Sequence, residues 1–234
     1  MDPAVPDRSA LPLLRAGAAA GPLYIAIGAT QVLARDGFDV RRHPLSVLSN
    51  GELGWIQTAN FVVSGLLVIA GAYGVRRLLR GSPGGTWGAL LLALYGVGLI
   101  GSGVFPADPS NGFPPGAPEP DGMSRSGLLH LVFGAGAFYA LIAACFVFAR
   151  RFAKVGRLGW AAFSAVTGVG FFLAFAGLAT GGGGAATMLA FYAAVAWIWV
   201  WHTMLMIDLA ASGEAGSPLP RPVLRIGSLE EHAG

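Results

Sequence analysis

Six long apolar segments constrain this chain more than any other feature of its sequence. A helix needs about 20 mostly apolar residues to cross the hydrocarbon core of a bilayer, and each segment meets that requirement. Only 12% of the 234 residues are charged, whereas a typical soluble domain has about 25%. The sequence therefore predicts an all-α polytopic membrane protein, a bundle of six transmembrane helices. The segments cover residues 16–34, 55–75, 87–105, 128–149, 158–178 and 185–209.

The apolar segments divide the chain into three parts. Residues 1–10 are predicted to form a cytoplasmic N-terminal tail, and residues 11–209 the six-helix membrane domain. Residues 210–234, with their glycines, prolines and closing acids, are predicted to be a disordered cytoplasmic tail. The chain begins with acids and prolines where a cleavable signal has a basic region, so the first segment is predicted to stay in the protein.

Lysine and arginine are distributed unequally between the two sides of the predicted bundle. With the N-terminus inside, eleven of them fall on the inner side and four on the outer side. The positive-inside rule then places both termini in the cytoplasm and the protein in the cell (inner) membrane. Because the positive charge lies next to apolar segments, membrane lipids are the expected partners and nucleic acid is not.

A polar stretch, RRHPLSVLSNGELGW, stands out at residues 41–55 between two apolar segments. Ser49 and Glu52 have the spacing of a capping box, in which the serine and the glutamate satisfy the first N–H groups of a helix. The second helix is therefore predicted to begin near Asn50, before the membrane. Arg41 and Arg42 lie on the outer side against the charge rule, so they are expected to pair with outer carboxylates or lipid phosphates.

Further polar residues are predicted to lie at the same outer face. Gln57, Asn60 and Ser64 form one stripe along the second helix, and polar groups at such depth normally face the bundle interior or a wet cavity. Asp108 follows the third apolar segment. The stretch Ser124–Gly127 is placed to cap the fourth, and His130 follows it one turn inside. The sequence predicts one outward-facing polar pocket for a ligand. Its candidate ligand-binding residues are Arg41, Arg42, His43, Ser46, Gln57, Asn60, Asp108 and His130.

Three functions are compatible with such a pocket. The first is binding or moving a lipid or small amphiphile, with the arginines and His43 supplying positive charge. The second is an intramembrane hydrolase or isomerase of a lipid, with His43 or His130 as general base, Asp108 orienting it and Ser46 as a distant nucleophile candidate. The third is a structural subunit of a membrane complex, in which these residues only shape turns and helix ends.

Metal and cofactor signals are weak, and the oligomeric state stays open. His43, Asp108 and His130 do not share a helix at ligand spacing, so neither a metal nor another cofactor is expected. Small residues at four-residue spacing in the fourth and fifth segments favour close helix packing. Packing within the chain and packing in a homodimer are both consistent with that pattern.

Several motifs together resemble a known family. The stretches RRHPLSVLSNGELGWIQTANFVVSGLL, GVFPADPSNGFPPGAP and GLLH are similar to those of the prokaryotic membrane family called domain of unknown function 998. The likeness runs through most of residues 11–208. It implies a multi-pass helical membrane protein with these outer loops, and it brings no established activity. The family pattern often has an acidic residue after the histidine of GLLH, where this chain has Leu131.

Overall fold

The chain forms six long helices. A computed structural model describes residues 8–118, 121–180 and 184–215. All six helices are long and apolar enough to cross a membrane, which confirms the predicted multi-pass all-α bundle. Short 3-10 helices cover Arg8–Ala10 and Leu45–Ser49. The six long helices are α1 (Leu11–Ala34), α2 (Gly54–Leu78), α3 (Trp87–Val104), α4 (Arg125–Lys154), α5 (Leu158–Ala179) and α6 (Ala185–Glu214).

The helices form a closed ring. Each packs against the next in sequence, and α6 returns to pack against α1. One end of the bundle, here termed the loop face, carries the long connection 35–53, the described parts of the long connection 105–124, the end of α5 and the start of α6. The opposite end, here termed the basic face, carries the connections 79–86 and 155–157, the start of α1 and the end of α6. Because six helices are an even number, the start of α1 and the end of α6 lie at the same face.

Glycines bring helix backbones into contact in the half of the bundle nearer the basic face. A Cβ atom on Gly17 of α1 would lie 2.7 Å from the Cα of Gly71 on α2. A Cβ atom on Gly21 would lie 2.4 Å from Oγ1 of Thr203 on α6. Since real Cβ contacts are longer, these positions accept only glycine without a backbone shift.

Two helix ends differ from the sequence-based prediction. The predicted capping box at Ser49 is wrong. Ser49 ends a 3-10 helix, and its Oγ donates to the carbonyl oxygen of Ser46 at 2.7 Å. Helix α2 begins only at Gly54. At the other end of the chain, α6 continues through Glu214, so residues 210–214 are helical and not part of a disordered tail. Residues 1–7 and 216–234 of the predicted tails lie outside the described residues.

Two of the tryptophans of α6 are core residues, whereas tryptophan in membrane helices is enriched at the interfaces. Trp199 and Trp201 are buried, and Nε1 of Trp201 donates to Oγ of Ser164 on α5 at 3.0 Å. Trp55 and Trp87, near the helix starts, are exposed as a belt requires. A transmembrane helix can turn its aromatic residues toward lipid or toward the bundle, and the composition of the sequence does not distinguish these directions.

An ion pair joins two elements at the basic face. Arg157, between α4 and α5, binds the Asp208 carboxylate of α6 through two hydrogen bonds, at 2.7 and 2.5 Å. The guanidinium also lies over the rings of Phe152 and Trp160. Hydrogen bonding to the carboxylate raises the pKa of Arg157, so the pair stays charged and ties α5 to α6.

Candidate functional site

His43 joins the two long connections of the loop face. Its Nδ1 accepts a hydrogen bond from the backbone N–H of Asp39 at 2.9 Å, and its Nε2 donates to the carbonyl oxygen of Asn111 at 3.0 Å. The ring packs against Phe38 and Phe113, with centroid distances of 5.4 and 5.6 Å. Only 2% of the residue is exposed. Because both ring nitrogens have partners, His43 is held in one tautomer as a joint between the connections.

Arginines of the first connection bind backbone carbonyls and not the expected carboxylates. Nη2 of Arg42 donates to the carbonyl oxygen of Asn111 at 2.8 Å, and Nδ2 of Asn111 donates back to the carbonyl oxygen of Arg42 at 3.2 Å. Arg35 donates to the carbonyl oxygens of Leu48 and Asn50 at 3.1 and 2.7 Å. Burial lowers the pKa of Arg35, but guanidinium groups remain charged in proteins. These arginines therefore fold the loop face.

Asp108 stabilises the start of α4. Its carboxylate accepts hydrogen bonds from the backbone N–H and from Oγ of Ser124, at 2.9 and 2.5 Å. Oγ of Ser124 in turn accepts from the backbone N–H of Gly127 at 2.9 Å, which confirms the predicted cap at Ser124. An acidic group beside a helix N-terminus is also favoured by the helix dipole. Asp108 is therefore bound to this cap and not to His43 or His130, the histidines that it was expected to orient.

The polar stripe of α2 faces α1. Oε1 of Gln57 accepts a hydrogen bond from Nε2 of Gln31 at 2.8 Å, and Nδ2 of Asn60 donates to the carbonyl oxygen of Tyr24 at 3.2 Å. Oγ of Ser64 lies 3.4 Å from Oδ1 of Asn60. Gln57, Asn60 and Ser64 are all buried. The stripe is thus a polar contact between two helices at membrane depth.

His130 is anchored to the end of α3. Its Nδ1 lies 3.0 Å from the carbonyl oxygen of Ser102 and 2.9 Å from that of Phe105. Since carbonyl oxygens only accept, Nδ1 carries the proton. Nε2 has no hydrogen-bond partner among the described residues, and the side chain lines an internal cavity. His130 therefore offers that cavity a fixed ring nitrogen.

The cavity has a volume of about 540 Å³ and lies in the half of the bundle nearer the loop face. All six helices contribute to its wall, and residues 44–46 of the first connection close it at the loop face. Its lining has no Asp, Glu, Lys or Arg. Most of its largest side chains are aromatic, among them Tyr24, Phe61, Tyr95, Phe138, Phe171, Phe191 and Trp199. The volume and the apolar wall match those of small-molecule binding sites in proteins.

Tyrosine side chains line the deep part of the cavity. Tyr24 and Tyr95 both pack against the Trp199 indole, with centroid distances of 4.9 and 5.5 Å. Their hydroxyl groups have no hydrogen-bond partner in the part of the chain that the structure describes. Tyr24 is ten residues from the loop-face end of α1, or about 15 Å at the helical rise, and His130 is about 8 Å into α4. The cavity therefore has polar groups at two depths along the helix axes, one at His130 and one at Tyr24.

Along α4 the cavity reaches the outer surface of the bundle. Leu131 and Tyr139 line it, yet 52% and 56% of these residues remain exposed. Ala179, on the facing side of α5, also lines the cavity and is exposed. The exposed part of the cavity wall therefore belongs to α4 and α5. In a membrane, this surface faces the acyl chains.

The structure thus divides the predicted site residues among separate places. Ser46 and His130 line the cavity. His43, Arg42 and Asp108 hold the loop face together, Gln57 and Asn60 join α2 to α1, and Arg41 is exposed. One link between the groups is Tyr192, a cavity residue whose hydroxyl donates to the carbonyl oxygen of His43 at 2.7 Å. No three His, Cys, Asp or Glu side chains of the described residues come together as a metal site would need.

The tyrosines of the cavity wall were not among the residues predicted from the sequence. Tyr24 and Tyr95 each lie in the middle of an apolar segment, whereas tyrosine in membrane helices is enriched at the interfaces. A tyrosine at mid-membrane depth needs either a partner or a polar cavity. That position was the signal available in the sequence.

A closed ring of six apolar helices around an aromatic cavity defines a class: multi-pass helical membrane proteins with an internal cavity. The chain belongs to the family described as protein of unknown function (DUF998), whose profile matches residues 18–208. This confirms the resemblance inferred from the motifs of the two long connections. No curated protein and no solved structure shows significant similarity to the chain.

Proposed function

We propose that the protein binds a lipid or small amphiphile in the cavity and holds or moves it within the membrane. The observation that carries this proposal is the cavity of about 540 Å³ that all six helices enclose. A wall of aromatic side chains suits an acyl or ring-containing ligand, because burying apolar surface is favourable by about 25 cal/mol per Å². The exposed lining residues of α4 and α5 support entry from the lipid phase.

This proposal differs from the sequence-based hypothesis in where the ligand lies. The predicted pocket was polar, with Arg41, Arg42 and His43 as its positive wall. The cavity instead takes its polar groups from Ser46, His130 and the tyrosines. The ligand's apolar part is therefore the larger part of the contact, and its polar group meets only a few side chains.

The cellular arrangement is part of the same proposal. Nine of the 13 lysines and arginines among the described residues belong to the basic face, so we place this face and both termini in the cytoplasm, in the cell membrane. The loop face would then lie outside, and the cavity would open into the outer half of the bilayer.

Two glycines of α4 provide a matched test of ligand binding. Gly134 lines the cavity, and the only atom near an added Cβ would be Oγ of Ser102 at 3.5 Å, an ordinary contact. Gly136, two residues on, has nothing within 4 Å of an added Cβ and does not line the cavity. The leucine side chain of Gly134→Leu should fill the cavity, whereas that of Gly136→Leu should extend toward the exterior of the bundle.

The test uses the purified protein in lipid nanodiscs and a photoreactive long-chain alkyl diazirine. We expect labelling of cavity residues such as Phe138 and Phe191, reduced at least fivefold in Gly134→Leu and unchanged in Gly136→Leu. Equal labelling of these residues in both variants would refute binding in the cavity. It would leave the hypothesis of a purely structural subunit.

One observation favours a second candidate, an intramembrane lipid-modifying enzyme. Nε2 of His130 faces the cavity without a partner and could accept a proton from a bound substrate. Asp108 is engaged by Ser124, so His130 would act without a carboxylate to orient it. The distinguishing result is chemical conversion of a bound lipid that His130→Asn abolishes while the lipid still binds.

A further inference from the structure

We propose that the cavity selects an uncharged lipid alcohol, whose hydroxyl donates a hydrogen bond to Nε2 of His130. This inference rests on the proposed function, because it names the chemical class of the ligand that the cavity binds. Three observations support it. The cavity wall has no charged side chain, the ring of His130 is held in one orientation, and His130 lies at a depth that suits the polar end of a lipid.

Charge complementarity argues against an ionic headgroup inside the cavity. The lining has no Asp, Glu, Lys or Arg. An isolated ion in an apolar site loses its hydration without gaining a counter-ion, and the penalty is several kcal/mol even after relaxation. The arginines closest along the chain do not compensate for this, since Arg42 donates to Asn111 and Arg41 lies exposed. A carboxylate or a phosphate would therefore be excluded. A quaternary ammonium group, which aromatic rings can attract, has no N–H or O–H to donate to His130.

The direction of His130 selects a hydrogen-bond donor. Its Nδ1 proton is shared between the carbonyl oxygens of Ser102 and Phe105, which fixes both the ring plane and the tautomer. In a neutral imidazole of this tautomer, Nε2 is an acceptor only. A ligand carbonyl or ether oxygen could not bond to it, but a hydroxyl could. Buried polar groups in proteins nearly always have partners, and the ligand hydroxyl would supply the missing one.

The position of His130 fits a lipid that keeps its normal orientation in the bilayer. His130 lies about 8 Å into α4 from the loop face, and the ring of Phe61 connects it to Tyr24 farther in, with centroid distances of 6.2 and 6.0 Å. A hydroxyl at His130 would leave the chain or ring system of the ligand along this aromatic wall. The polar end then stays nearest to the headgroup region, as it does in free lipid.

Competition against the alkyl diazirine tests the proposal. The competitors share one hydrocarbon chain and differ only at the end: a primary alcohol, a carboxylate, a trimethylammonium group and a plain methyl group. We expect the alcohol to reduce cavity labelling at a mole fraction at least tenfold lower than either ion. Equal or stronger competition by the carboxylate would overturn the selection of an uncharged ligand.

His130→Asn tests the hydrogen bond itself. Asparagine keeps a donor near the position of Nδ1, so the bonds to Ser102 and Phe105 can persist, but it has no group at Nε2. We expect the alcohol to lose roughly three- to tenfold in competition, the range of one hydrogen bond. The plain hydrocarbon should compete as before, which shows that the cavity is intact. An unchanged preference for the alcohol in this variant would overturn the role of His130.

Three further outcomes separate this inference from the proposed function. If Gly134→Leu does not reduce labelling, the cavity is not the binding site and both proposals fail. If labelling responds to Gly134→Leu but the four competitors are equivalent, the cavity binds amphiphiles without selecting the alcohol, and only this inference fails. Carboxylate competition that disappears in a variant with Arg41→Gln and Arg42→Gln would assign an anionic headgroup to the loop face and overturn it as well.

Discussion

His43 and Asn111 connect the two long loops of the protein: Nε2 of the histidine donates to the backbone carbonyl oxygen of Asn111 at 3.0 Å. The two residues are 68 positions apart in the chain, and Arg42 binds the same carbonyl oxygen. One oxygen thus receives two hydrogen bonds from neighbouring residues. The wall of the cavity at residues 44–46 begins directly after this joint, so the joint positions the end of the cavity.

Substitution of His43 should loosen the loop face. His43→Phe keeps an aromatic ring against Phe38 and Phe113 but removes both hydrogen bonds, leaving the N–H of Asp39 without its partner. We expect a loss of about 1–3 kcal/mol in stability, measured as a lower melting temperature in detergent. Hydrogen exchange should increase at residues 39–43 and 111–113. Arg41→Ala, at an exposed position, is the control and should change stability by less than about 0.5 kcal/mol. Equal stability of the two variants would contradict the joint.

Three tyrosine-to-phenylalanine substitutions should separate cavity hydroxyls from structural ones. Tyr24→Phe and Tyr95→Phe remove hydroxyls that bond to no described residue, so they should leave the melting temperature unchanged or raise it slightly. Tyr192→Phe removes the hydrogen bond to the carbonyl oxygen of His43, and it should destabilise the protein by about 1 kcal/mol. A loss at Tyr24 or Tyr95 as large as that at Tyr192 would show that their hydroxyls have structural partners.

Helix capping should depend on Ser124 and not on Ser49. Ser124→Ala removes the oxygen that accepts from the N–H of Gly127, which should cost about 0.5–2 kcal/mol and raise hydrogen exchange at the start of α4. Ser49→Ala removes a side-chain bond within a 3-10 turn, so exchange at the start of α2 should not change. Increased exchange at residues 54–57 in Ser49→Ala would restore the capping-box interpretation.

Cysteine labelling should establish the orientation. Ser110 belongs to the loop face and Ser82 to the basic face, and serine-to-cysteine substitution at either position is nearly isosteric. We expect an impermeant thiol reagent added to intact cells to modify Ser110→Cys and not Ser82→Cys. The natural Cys145 is buried, so the unsubstituted protein serves as an unlabelled control. The reverse labelling pattern would invert the proposed topology and place the cavity in the inner half of the bilayer.

Sequence patterns predicted the helices because membrane thickness fixes the length of an apolar segment. They also predicted that residues 41–46, Asp108 and His130 would lie at one end of the bundle, which follows from chain direction alone. They could not give the rotation of each helix about its axis. Gln57 and His130 are both polar residues near the same membrane depth, yet one faces α1 and the other faces the cavity. That difference depends on which neighbours each helix meets.

The failed capping box has a local cause. The spacing of Ser49 and Glu52 suits a helix start, but Gly51 adopts a φ of 74°, a left-handed conformation that a continuing helix cannot contain. The chain therefore turns at Gly51 and enters α2 three residues later. The four-residue motif indicates only that its side chains are able to form capping hydrogen bonds. The conformation of the surrounding backbone determines whether they form.

The contact between Gly17 and Gly71 has a mechanical consequence for the bundle. Both residues lie about 17 positions from the loop-face ends of their helices, or about 25 Å along the axis, well away from the cavity. Because the two backbones are in contact there, α1 and α2 cannot move closer together. Nearby, α6 packs closely against α1 at Gly21. Moving α1 and α2 apart in parallel would break this close contact and lose its dispersion attraction, whereas tilting the helices about it would keep it. We therefore expect a change in the size of the occupant to be accommodated by tilting, with the glycine contact as the pivot and the loop-face ends of the helices moving farthest.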